Sequence, residues 1–232
     1  MHKVGLIGYG SFGKALHGWL ADSCEFVIYD PATSSTSAKS ALAQPIIVLA
    51  IPAQHLESFL IKHADSLSPR ALYLDVCSVK VKPVAIMQKL LPESAQIIAT
   101  HPLFGPRSSD KIAGQCIMMH PVRAQKETYS KTKNFMSTLG LRIIETTPEQ
   151  HDQEMAYVQG LSHYLSRIMQ EMAIPESKMS TKAYRNLLEV KDWLAGNSAE
   201  LFYSIEHENP YAQTVLTEFD KARAHINEQF QL

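Results

Sequence analysis

Two segments of this chain carry side chains that move protons. Asp75-Val-Cys-Ser78-Val-Lys80 and Thr100-His101-Pro-Leu-Phe-Gly-Pro106 each follow a short apolar run. A neutral imidazole at His101 can accept a proton from an alcohol while hydride leaves the same carbon. A serine hydroxyl such as that of Ser78 can hold the imidazole or the substrate oxygen. On the residues alone, a hydrogen-bonded structural role for His101 stays open.

A hydride needs an acceptor, and the N-terminus supplies a site for one. Gly8-Tyr-Gly10-Ser11-Phe12-Gly13 fits G-x-G-x-x-G, follows the strand-like run Val4–Ile7 and opens a helical pattern at Ala15, Leu16, Trp19 and Leu20. Glycines there permit a tight turn and close approach of backbone to a pyrophosphate, which the helix N-terminus attracts. Asp30 ends the next strand, where a carboxylate accepts from an adenosine ribose and repels a 2′-phosphate. This favours NAD, with NADP as the alternative. Ile51-Pro52 ends the following strand, beside the same cofactor edge, and Pro52 reads equally well as a simple strand-ending proline.

These residues need a scaffold that gathers strand ends on one side. Apolar runs at Val4–Ile7, Phe26–Tyr29, Ile46–Ala50, Ala71–Leu74, Gln96–Ala99, Cys116–Met119 and Leu141–Ile144 alternate with amphipathic stretches. The pattern predicts a Rossmann-type, doubly wound, mostly parallel α/β sheet over residues 1–146. The Ser/Thr/Ala-rich stretch from Tyr29 to Ile46 is too short for a complete helix plus a strand, so the usual third edge strand is expected to be missing. Residues 147–232 read as a small all-α domain for substrate binding and dimerisation. Its first helix is expected from Pro148 to Ala173, with Met155, Val158, Leu161, Leu165, Ile168, Met169 and Met172 on an apolar stripe. Opposite them lie Asp152, Ala156, Gln159, Gly160, His163 and Arg167, a face that reads as a cleft wall or as an ordinary solvated face, while the stripe is expected to pack on the first domain and on a second copy of the chain. His151-Asp152 reads as organising that helix start. Further helices are expected over Lys178–Ala195, from an Asn197/Glu200 capping box, and from Asn209-Pro210.

Composition narrows the class. Lys and Arg total 22 against 23 Asp and Glu, and no basic stripe is present, so nucleic acid is an unsuitable partner. The ten histidines show no metal-ligand spacing. No apolar run approaches the roughly 20 residues of a membrane helix. The three cysteines are far apart and odd in number, which fits a reducing compartment. With strand sequence starting almost at Met1, the expectation is a cytoplasmic protein acting on a small molecule, paired as a homodimer through its helical domain.

The order of these motifs resembles a known family. Gly8–Gly13, Asp75-x-Cys-Ser-Val-Lys80, Thr100-His-Pro-Leu-Phe-Gly-Pro106 and His151-Asp152…Gln159-Gly-Leu-Ser-His163 look like the prephenate/arogenate dehydrogenases of tyrosine biosynthesis. Ser180-Thr-Lys-Ala-Tyr-Arg-Asn-Leu187 and Asn197…Asn209-Pro210 resemble the helical domain of short, plant-like members. The resemblance implies NAD(P)-dependent oxidative decarboxylation of a cyclohexadienol to an aromatic product. It implies that His101 takes the hydroxyl proton, that Ser78 bonds the same hydroxyl or His101, and that His163 and Arg185 bind substrate. Arg107-Ser108-Ser109 departs from the family, which often has glycine there. Two other readings keep the cofactor site: a β-hydroxyacid-type dehydrogenase for another small substrate, and a non-catalytic NAD-binding sensor. The Ser78/His101 pair favours the first reading.

Overall fold

The structure is a computed structural model, which describes residues 1–33, 36–107 and 111–231. Ser108 and Ser109 of the departing loop lie outside these residues. By contact, the chain forms two units, Met1–His151 and Asp152–Leu232.

The first unit is a seven-stranded sheet in the order β2-β1-β3-β4-β5-β6-β7. Its strands are β1 (His2–Ile7), β2 (Cys24–Tyr29), β3 (Ile46–Leu49), β4 (Leu72–Asp75), β5 (Gln96–Pro102), β6 (Cys116–Arg123) and β7 (Arg142–Glu145). All seven expected apolar runs form strands. β1 to β5 run parallel, β6 turns antiparallel to β5, and β7 is parallel to β6. The central runs are apolar without alternation because helices bury both faces. Leu42, Leu56, Leu60 and Met87 close one face, and Leu6, Leu20, Val48 and Leu74 belong to the core of the other.

The helices of this unit are α1 (Ser11–Leu20), α2 (Ala38–Leu42), α3 (Ala53–Lys62), α4 (Val81–Leu90) and α5 (Lys126–Thr138). Among the described residues between β2 and β3 only α2 intervenes, five residues long and capped by Ser37, whose hydroxyl accepts from Ser40 N–H. β2 is therefore the sheet edge, as the short Tyr29–Ile46 spacing requires. From β1 the chain goes one way to β2 and the other way to β3. The C-terminal end of β1 is thus a topological switch point, where such sheets bind ligands.

The second unit is helical. α6 (Pro148–Met155) leads through a π-helical stretch, Ala156–Leu161, into α7 (Ser162–Glu171), followed by α8 (Lys182–Ala195), α9 (Ala199–His207) and α10 (Ala212–Phe230). The two faces expected of the first helix differ in burial within one chain. Asp152, Ala156, Gly160 and His163 are buried, while Val158 and Met172 are 60% and 67% exposed. A π turn adds residues to the helical repeat, so a projection at 100° per residue loses register through 156–161. α8 starts at Lys182, capped by Thr181. The third cap is Ser198, not Asn197, with its hydroxyl accepting from Leu201 N–H. Asn209 precedes α10 but ties two segments: its side chain accepts from Tyr211 N–H and donates to Asp152 O.

One backbone contact sets how α2 sits on the sheet. A Cβ built on Gly5 would lie 2.0 Å from Ala41 O, backbone that has no rotamer with which to yield. Gly5→Ala is expected to lower stability by more than about 2 kcal/mol. In a thermal melt this appears as a fall of at least roughly 4 °C.

Candidate active site

The Gly-rich turn is built by close packing on two sides. Gly8 has φ of +98°, and a Cβ there would meet Ala50 O at 2.3 Å. A Cβ on Gly13 would meet Gly8 O at the same distance. Both positions need glycine so that β1, β3 and α1 can close together. Gly10 is different: a Cβ there would have nothing within 4 Å, so its open side faces free space. Gly10 is also the N-cap of α1 and offers no side-chain cap. The first N–H groups of the helix, at Ser11, Phe12 and Gly13, are therefore available to an anion, with the helix dipole behind them.

Asp30 is tied to this turn. Its carboxylate accepts from Tyr9 N–H at 2.8 Å and from Ala32 N–H at 2.9 Å. Partial burial alone would raise its pKa, but hydrogen bonds from Tyr9, Ala32 and Thr33 hold the carboxyl below its usual range. Tyr9 is anchored by its hydroxyl, 2.8 Å from His17 Nδ1. Ile51 and Pro52 follow β3, with Pro52 as the N-cap of α3 and Ile51 O accepting from the Cys77 thiol. This edge meets what a dinucleotide requires: an open glycine, uncapped N–H donors, and an ionised carboxylate at the end of β2.

A second constellation lies at the ends of β4 and β5, paired in parallel with Asp75 opposite Ala99. Asp75 and Lys80 are fully buried and form an ion pair. Lys80 Nζ also donates to Thr100 O at 2.5 Å. Asp75 further accepts from Cys77 N–H at 3.1 Å and Thr100 N–H at 3.3 Å, and Thr100 Oγ1 donates to Asp75 O. The next residue, His101, is buried at the end of β5. Burial, then His151, then the Lys80 ammonium hold its pKa well below the ordinary imidazole value of 6.5. His101 is therefore neutral at neutral pH. Ser78 stands half-buried in the turn after β4, and its hydroxyl has no partner among the described residues.

The imidazole of His101 is held by His151, not by Ser78. Nδ1 of His101 lies 2.8 Å from Nε2 of His151, with the rings 5.0 Å apart at 74°. This corrects the reading of His151 as part of the helix start, because Thr147 already caps that turn by accepting from Gln150 N–H. The partners are separated by 50 residues, which no local pattern links. The available sign was a buried-type residue at a helix start that did not need it.

In the second unit, His163 lines an open groove of about 490 Å³ between the π turn with α7 on one side and α8 on the other. Gln159, Glu189 and Trp193 also line it. Burial, then Arg167, lowers the pKa of His163 to about 4. Arg185 is exposed on α8, is not among the groove-lining residues, and donates from Nη1 to Ser180 O at 2.7 Å.

Comparison with known proteins gives a consistent picture. The profile of the family described as "Prephenate dehydrogenase, nucleotide-binding domain" matches residues 21–145, just over half of the chain. A second profile, "TYRAAT1-like, C-terminal domain", matches residues 168–231. The chain is 27% identical to arogenate dehydrogenase 2, chloroplastic, of Arabidopsis thaliana, over 95% of this chain and 67% of that protein. It is 28% identical to a probable arogenate/prephenate dehydrogenase of Methanocaldococcus jannaschii, over 79% of this chain but 43% of that one. The chain thus spans between under half and two thirds of these relatives. In fold it is similar to prephenate dehydrogenase from A. aeolicus, solved with hydroxyphenyl propionate and NAD+. The TM-score is 0.77 at 19% identity, covering 99% of this chain and 91% of the other. Synechocystis arogenate dehydrogenase gives 0.70 at 21% identity, covering 99% and 91%.

The buried ion pair yields a test of its own. Lys80→Met would leave the Asp75 carboxylate without its cation in a dry site, a loss expected to cost about 3–5 kcal/mol. Urea unfolding should show the midpoint falling accordingly, and Asp75→Asn combined with Lys80→Met should recover part of the loss.

Proposed function

The chain belongs to the prephenate dehydrogenase family, and from that premise we propose that it oxidatively decarboxylates prephenate or arogenate with NAD. The products would be 4-hydroxyphenylpyruvate or tyrosine. The observation that carries this reading is His101, an imidazole kept neutral by burial, His151 and Lys80 in the sheet whose glycine-rich edge fits a dinucleotide.

Gly8, Gly10, Ser11, Phe12 and Gly13 would hold the pyrophosphate, Asp30 the adenosine ribose, and Ile51 and Pro52 the adjoining wall. NAD supplies the hydride acceptor when bound. The ionised Asp30 favours NAD over NADP, because a 2′-phosphate would sit against its negative charge. His101 Nε2 takes the proton of the substrate hydroxyl as the carbonyl forms, which only a neutral imidazole can do. Ser78, whose hydroxyl has no partner among the described residues, would hydrogen-bond the same substrate oxygen. Loss of CO2 from the ring carbon then sends its electron pair to the carbonyl oxygen, which takes the proton back from His101 as the ring aromatises, and this makes the step irreversible. His163 would meet the substrate through its second-unit groove. Arg185 would bind a carboxylate with the N–H groups that its bond to Ser180 leaves over.

The roles divide as residues 1–146 for the cofactor and 147–232 for substrate and pairing. A homodimer is supported by the apolar surface of the helical unit. Val158, Leu187, Val190 and Trp193 are each between 43% and 60% exposed. Free Cys24, Cys77 and Cys116 suit the reducing cytoplasm. Among the described residues no helix is long and apolar enough to cross a membrane.

The chain with prephenate or arogenate should raise absorbance of the reduced cofactor, faster with NAD than with NADP. His101→Ala should lower turnover by at least about 10²-fold. If neither substrate is turned over above that variant, the proposal fails. Light scattering should report twice the chain mass, and Leu187→Glu, outside the groove that His163 lines, should halve it. A monomer in the unaltered chain would contradict the pairing.

A further inference from the structure

His151 is 2% exposed at the start of α6, where the Thr147 hydroxyl accepts from Gln150 N–H. Its Nε2 lies at hydrogen-bond distance from His101 Nδ1, so one of these nitrogens carries a proton and the other does not. The direction of that bond decides what His101 can do. If His151 donates, His101 carries its own proton on Nε2 and cannot serve as a base there. If His101 donates, its Nε2 lone pair is bare and aimed away from His151.

We propose that His151 is a positioning residue that accepts the Nδ1–H of His101 and thereby fixes the tautomer able to take the substrate's proton. The inference rests on the functional reading above and names the group that makes its base competent. When the substrate proton reaches Nε2, the His101 imidazolium keeps its Nδ1–H on the His151 lone pair. No other proton has to move, and the ring does not rotate between turnovers. The proposed acceptor is an imidazole lone pair, unlike the carboxylate that orients histidine in Ser-His-Asp triads. A carboxylate would strongly favour the imidazolium and raise the pKa of the base. A lone pair without a full negative charge supplies the orientation and leaves His101 able to hold its neutral form in a buried site next to Lys80. The Asp75–Lys80 network fixes the backbone at Thr100, and His151 fixes the ring beyond it.

His151→Leu removes the acceptor at similar volume. His151→Gln restores one, because the glutamine Oε1 stands as many bonds from Cα as the imidazole Nε2. Steady-state kinetics with NAD and the preferred substrate should show kcat falling about 10²-fold in the leucine variant. KM should stay within about threefold, and the glutamine variant should regain most of kcat, a split that general destabilisation does not produce. Nitrogen-15 NMR of the substrate-free wild type should find His101 neutral and protonated on Nδ1. An Nε2–H on His101 in the wild type overturns the proposal, as does unchanged kcat in the leucine variant. If the leucine variant does not fold, the wild-type tautomer and the glutamine variant decide: an Nδ1–H on His101 and retained kcat support the proposal, an Nε2–H or lost kcat overturns it. Absence of wild-type turnover on either substrate would remove the functional reading instead, while the spectrum would still report the tautomer.

Discussion

A lysine ammonium and an aspartate carboxylate, both withdrawn from water, join the ends of two neighbouring strands, and the reactive edge of the sheet is organised around them. Such a pair stabilises a fold less than well-packed apolar groups would. What Asp75 and Lys80 supply instead is position. Asp75 accepts two backbone N–H groups besides the ammonium, and Lys80 reaches across to Thr100 O. The turn carrying Ser78 and the strand carrying His101 are thereby fixed to each other by charge-assisted bonds. The same ammonium adds to the burial that keeps the neighbouring imidazole uncharged.

The cofactor edge follows a different logic, in which space matters more than charge. Gly8 and Gly13 are pressed against Ala50 O and Gly8 O, so β1, β3 and α1 meet with no room for a side chain, while Gly10 opens outward. Asp30 is then drawn onto the turn by Tyr9 N–H. Its hydrogen bonds hold this carboxylate below its usual pKa, and in the proposed function it would meet a neutral ribose hydroxyl better than a phosphate. His101 and the glycine-rich turn thus both stand at strand ends of one sheet, as the proposed alcohol oxidation requires.

The sheet was legible in the sequence because each strand is a compact apolar run, and the missing edge strand because Tyr29 and Ile46 stand too close for one. The glycine turn, Asp30 and His101 were legible because their neighbours name their context. Three things were not. The π turn at Ala156–Leu161 was not foreseen, because a fixed period per residue cannot represent it. The third cap fell on Ser198 because two adjacent residues, Asn197 and Ser198, can both cap, and backbone geometry chose between them. His151 was misjudged because its partner lies 50 residues away, and a pattern read locally contains no information about which side chains meet in space.

The central claim is that His101 stands in its uncharged form at the pH where the chemistry occurs. Titration of the histidine carbon and nitrogen resonances of the cofactor-free protein, with His101 assigned through His101→Gln, reads that state directly. The account predicts a His101 imidazole that is neutral at neutral pH, with no transition near the ordinary histidine value. A His101 resonance that titrates at about 6.5 or above would contradict it.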